Sequence, residues 1–188
     1  MLILLIFTAA SATLVRAEAP DTSTPKKAGV AFAKAVQTGD LTTAKTLATG
    51  TDSEWSAVKA LSDLSVAMKS LEAAVTKKFG ADGKFPEGML MDVVADFQSM
   101  EEKIEGDQAT LISKIRPDDK FPPTLKKVGA GWKMDLSNMS QDAGLASIVE
   151  AVPLMLKRLK AVIGNVESGK YPKFADVMAA MTSEKDPE

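Results

Sequence analysis

The side chains that could do chemistry in this chain of 188 residues are carboxylates, lysines and methionines, because it contains no histidine and no cysteine. Without imidazole, proton transfer near neutral pH, hydrolytic triads and the commonest metal sites lose their usual group. Without a thiol there is no disulfide framework, no thiolate nucleophile and no cysteine for a lipid after a signal segment. No catalytic residue, no metal site and no cofactor is therefore expected. Asp92 and Asp96 lie four residues apart on one helical face, the spacing an acid pair would use, and equally that of two solvated helix acids. Asp118 and Asp119 could touch a hard cation, but no EF-hand spacing surrounds them. Met89-x-Met91 and Met178-x-x-Met181 are close thioether pairs of the kind that selects Cu(I). Against that, Met68, Met100, Met134, Met155 and Met178 recur on faces that packing already claims, which suits methionine as a filler of irregular gaps. Gly129-x-Gly131 lacks the rest of any dinucleotide fingerprint.

The elements that would position such groups divide into a strand-like centre and helices on either side. From about Gln98 to Ser137 the hydrophobic period changes from helical to alternating. Met100, Glu102 and Ile104 alternate with Glu101 and Lys103, and Glu105-Gly106-Asp107 supplies a hairpin turn. Residues 99–105 also suit a helix, since Met89, Val93, Phe97, Met100 and Ile104 recur at helical spacing. After the turn, Ala109, Leu111 and Ile115 share one strand face, and Thr110, Ile112 and Lys114 the other. Pro117, Pro122 and Pro123 end that strand. Thr124–Val128 and Trp132–Leu136 flank Gly129-Ala130-Gly131, a second hairpin, with Trp132, Met134 and Leu136 opposite Lys133 and Asp135. Lys126, Lys127 and Lys133 gather on that hairpin as a solvated face would. The reading is four short antiparallel strands, half buried.

The flanking helices carry clear start and stop signals. Thr24-Pro25 opens one over 25–38 and Gly39 follows its end. Asp40 caps a short second helix closed by Gly50. Thr51-Asp-Ser-Glu54 is a capping box, and Trp55, Val58, Leu61, Leu64, Met68, Leu71, Val75 and Phe79 make a long apolar seam. Lys77, Lys78 and Gly80 end it. A further helix is expected from about Pro86 to Asp96. After the strands, Leu145, Ile148, Val149, Val152, Leu156, Leu159, Ile163 and Val166 make a second long seam with Pro153 inside it, terminated by Gly169. Pro172 opens a last helix whose apolar face is Phe174, Val177, Met178 and Met181.

The charge balance of -2 leaves no basic stripe for nucleic acid. Leu2–Val15 is apolar or small for about 14 residues, short for a bilayer span and well sized for the core of a signal peptide. Val15-Arg16-Ala17 follows as a cleavage site, with Ala19 as the alternative. A retained amphipathic or anchor helix is the competing reading. The expected organisation is a signal peptide over 1–17, a flexible tether over 18–25, a single α+β domain over 26–183 and a charged tail over 184–188. Cleavage leaves no stable membrane span, and the protein is expected to be exported, periplasmic or secreted.

Several stretches together resemble small exported bacterial proteins of the nuclear-transport-factor-2-like, cystatin-like type. They are Gly39-Asp40 between two helices, Glu105-Gly106-Asp107-Gln108-Ala109-Thr110, Leu125-Lys126-Lys127-Val128 leading to Gly131-Trp132-Lys133, and Gly169-Lys170-Tyr171. The resemblance implies a cone-shaped α+β fold, a curved four-stranded antiparallel sheet wrapped on amphipathic helices. In enzymes of that superfamily the cone holds a catalytic Asp and His, and this chain has no histidine to fill the second role. The long helix after the sheet departs from the usual ending on a strand. The expected function is a non-catalytic exported binding module, for a small apolar ligand held by Trp132, Met134, Leu136, Phe97 and Leu111, or for an envelope protein. The alternative is a structural or protein-interaction domain of the cell envelope without a ligand pocket, exposing an apolar patch around Met178 and Met181.

Overall fold

The structure, a computed structural model, describes residues 19–86, 88–90, 92–141 and 143–183. The expected signal peptide, the tail 184–188, Met91 and the side chains of Leu145 and Ile148 lie outside the described residues.

Helix α1, Pro25–Gln37, starts where Thr24 Oγ1 accepts from the Lys27 amide at 3.2 Å, with Pro25 in the first turn. Helix α2, Leu41–Leu47, is capped by Asp40, which accepts from the Thr43 amide at 3.0 Å. Ala48–Thr49 then forms β1. Helix α3, Asp52–Phe79, opens with Glu54 Oε2 accepting from the Thr51 amide at 2.7 Å, and at 28 residues it runs roughly 42 Å. Helix α4, Val93–Ser99, is capped by Asp92 through the Ala95 amide at 3.1 Å. Strands β2, Glu101–Glu105, and β3, Gln108–Ile112, form one hairpin; β4, Thr124–Val128, and β5, Gly131–Asp135, form the next. Helices α5, Ala143–Glu167, and α6, Phe174–Thr182, complete the order. Both hairpins turn on two residues with the first, Gly106 or Gly129, at φ near +60°, the type II′ geometry that matches strand twist.

The sheet is open and mixed, in the order β1-β5-β4-β3-β2. The four expected antiparallel strands are present, and a fifth is added: β1 lies parallel to β5, Ala48 against Met134 and Thr49 against Asp135. Two residues are too few to show alternation, so the extended step after Leu47 looked like the end of a helix. Residues 101–105 are strand, because Met100 leaves α4 with extended backbone, φ -64° and ψ 152°. The helix expected from Pro86 begins only at Val93. Ile115, expected on the inward face of β3, is 80% exposed. The ladder stops at Ile112, and Ser113 Oγ then accepts from the amides of Ile115 and Arg116, turning the chain away. Leu136 lies just past β5 in a short 3₁₀ segment, Leu136–Gln141, and is still buried.

Two cores result, joined by α3. The first lies between the inner sheet face and α1, α2, α4 and the start of α3, with Phe32, Val58, Phe97, Met100, Leu111, Leu125, Trp132 and Met134 in it. The second packs Leu71 and Val75 of α3 against Leu159, Val162 and Val166 of α5 and Val177 of α6. Helix α1 can approach the sheet closely because Gly29 faces it: a Cβ there would sit 2.8 Å from Phe97 Cδ1 and 2.9 Å from Leu111 Cδ1.

Candidate functional site

The five side chains expected to line an apolar pocket lie in one cluster. Phe97, Leu111, Trp132, Met134 and Leu136 all belong to the first core cluster, and each is buried. What they meet is protein. Ala28, Phe32 and Ala33 of α1, Ala44 and Leu47 of α2 and Val58 of α3 belong to the same cluster, with Val30, Trp55 and Val93 packed against it. Phe32 meets Trp55 edge to face at 6.5 Å. Two surface grooves, of about 330 and 530 Å³, lie elsewhere, along the exposed face of the later turns of α3. Glu72 and Thr76 line both, and Lys84, Phe85 and Leu90 close one side of the first. Neither groove touches the five residues.

The carboxylates separate into structural roles. Asp92 caps α4 and lies 3.5 Å from Gln37 Nε2; Asp96, in the next turn, is 4.0 Å from Arg116. Asp119 accepts from the Phe121 amide at 3.0 Å and faces Arg116 at 3.8 Å. Among the described residues no three acidic side chains gather as metal ligands would. Met100 and Met134 are buried, and Met68 and Met181 pack against the second core.

Lys126 and Lys133 stand opposite each other on the outer sheet face, while Lys127, opposite Trp132, falls on the other side. Asp135 offsets the repulsion: its carboxylate meets Lys126 Nζ at 2.7 Å and accepts from the Ser137 amide at 3.1 Å. Partial burial pushes the Asp135 carboxyl up, but the Lys126 ammonium and the Ser137 donors outweigh it and hold its pKa below the usual carboxylate value.

Two adjacent exposed apolar side chains sit on α5, apart from Val66, Ile104, Ile115 and Val128 elsewhere. Val152, Leu159, Val162 and Val166 are its buried stripe, and beside them Leu154 is 62% and Met155 42% exposed, with Ala151 exposed on the same flank. Met155 was expected among the packing positions, and Leu154 gave no signal. A period of 3.6 identifies a helix's apolar stripe, not whether a neighbour extends far enough to cover its margin. Met178 and Met181, where the exposed patch was expected, are half-buried, Met181 against the second core. Among the described residues no helix is long and apolar enough to cross a membrane. Compared with known proteins, the chain matches no family model, no curated protein and no solved structure.

Proposed function

We propose that this protein is an exported, non-catalytic interaction module that engages another protein of the cell envelope through the α5 flank bearing Ala151, Leu154 and Met155. The observation that supports the reading is a contrast in exposure. The inner sheet face, where a small apolar ligand would sit, is occupied by α1, α2 and the start of α3, while two large apolar side chains of α5 face solvent. Scattered exposed apolar residues need no explanation, but adjacent ones on a helix that is otherwise well packed suit a partner's apolar surface. Export belongs to the same proposal and rests on the apolar run before Arg16.

A photo-reactive side chain placed at position 154 in the native host, with position 160 as control, tests it. One discrete crosslinked species at 154 and none at 160 supports the reading. Diffuse labelling at both overturns it, as would a small hydrophobe that co-purifies with the intact protein in native mass spectrometry. The mature amino terminus, read by mass spectrometry, tests export separately.

A further inference from the structure

Strand β2 ends the sheet, and all five of its residues, Glu101 to Glu105, are exposed. Its hydrogen-bonding parity follows from its neighbours. In β3 the Leu111 amide donates to Pro123 O at 2.9 Å, and Asp107 O accepts from the Lys127 amide at 2.8 Å, so odd-numbered positions there face β4. Even-numbered positions of β3 therefore serve β2, in the register Glu101 with Ile112, Lys103 with Thr110 and Glu105 with Gln108. The N–H and C=O groups of Glu102 and Ile104 point off the edge of the sheet. No backbone hydrogen bond outside the ladder reaches them among the described residues.

An open edge is a template for another strand, and proteins guard such edges with charge. Here the guard is three glutamates and one lysine. A second copy pairing antiparallel over the full strand would set Lys103 against its own counterpart and Glu101 against the other copy's Glu105, and like charges directly opposite repel. A shifted register that matches Lys103 with Glu105 keeps only three residues of overlap. A strand of the opposite charge meets neither obstacle. Ile104, 52% exposed on the face shared with Ala109, would also gain an apolar neighbour.

We infer that the free edge of β2 accepts a sixth strand from another protein, an extended cationic segment with basic residues opposite Glu101 and Glu105 and an apolar one opposite Ile104. This site is separate from the α5 flank and stands or falls without it. The probe is a capped peptide, Lys-Val-Glu-Lys-Lys, which read antiparallel sets each residue against its complement from Glu105 back to Glu101; Glu-Val-Lys-Glu-Glu is the control. Titrated into isotope-labelled protein, the first should give saturable shifts centred on the Glu102 and Ile104 amides and slow their hydrogen exchange. The control should bind about tenfold more weakly, as four reversed cross-strand pairs imply. Ile104→Pro deletes an outward N–H that no ladder bond uses, so the sheet persists and binding is lost, whereas Ile104→Thr keeps both. The inference is overturned if the cationic peptide gives no shifts by a few millimolar, if both peptides bind alike, or if Ile104→Pro binds as the parent does. Sedimentation showing that β2 pairs with a second copy overturns it as well.

Discussion

Leu111→Ala distinguishes a packed interior from a hollow one. Leu111 is fully buried on β3, against Phe97 and beneath the α1 backbone at Gly29. The substitution removes three carbons, which at ~0.8 kcal/mol per methylene is about 2.4 kcal/mol of transfer free energy. If helices and sheet hold their places, the cavity left behind adds to this, and the total should reach about 3 to 4 kcal/mol. If the space beside Leu111 were already open, no new cavity term would arise and the loss would stay near or below the transfer value. Gly29→Ala provides the coupling. Its Cβ would crowd Phe97 and Leu111, an overpacking that costs about 1 to 3 kcal/mol against a helix-propensity gain of about 1 kcal/mol. With Leu111 already shortened, one of the two clashes is gone, so the pair should be less destabilising than the sum by at least about 0.5 kcal/mol. Urea unfolding followed by the fluorescence of buried Trp132 measures all four chains. A loss under about 1.5 kcal/mol for Leu111→Ala, with strict additivity in the double variant, would refute the packed-core argument.

Three further outcomes follow from single sites. Pro153 sits inside α5 with its ring exposed and has no N–H for the helix ladder, so Pro153→Ala should raise stability by about 1 to 3 kcal/mol, read as a higher melting temperature; a fall would mean the kink fits the packing on α3. Glu54→Ala removes the acceptor of the Thr51 amide at the start of α3, from a side chain only 6% exposed, and should cost about 1 kcal/mol in the urea midpoint. Asp135 gives a pH signature. Its folded pKa is depressed, so its stabilising contribution is complete above the unfolded carboxyl pKa of about 3.9 and is lost as pH falls through the lower folded value. Asp135→Asn should therefore be less stable than the parent by about 1 kcal/mol at pH 7, and the two unfolding midpoints should converge only below about pH 4; a constant difference down to pH 2 would assign the loss to something other than ionisation.

How far the sequence could be read depended on whether a signal was local. Caps and turns are local: Thr24, Asp40, Glu54, Gly106 and Gly129 each do in the structure what their neighbours in sequence implied. Strand β1 is not, because Ala48 and Thr49 are extended only by virtue of Met134 and Asp135, more than eighty residues away. The same distinction governs the candidate site. Phe97, Leu111, Trp132, Met134 and Leu136 do share one core, and periodicity can place them there, alternation for the strand residues Leu111, Trp132 and Met134 and helical spacing for Phe97. Alternation cannot say whether the opposite layer stands off or closes in, since a ligand cavity and a core are lined by the same side chains. The discriminating signal lies on that other layer. Along α1 the buried residues are Pro25, Ala28, Gly29, Phe32, Ala33, Ala35 and Gln37, most of them small. A helix with so little on its inner face can approach a sheet until their side chains touch, and the 2.8 Å left for a Cβ at Gly29 shows that α1 has done so. A helix meant to roof a cavity would instead need bulk at its rims to hold it away. The small face of α1, more than the composition of the sheet, is what closes the space over the sheet.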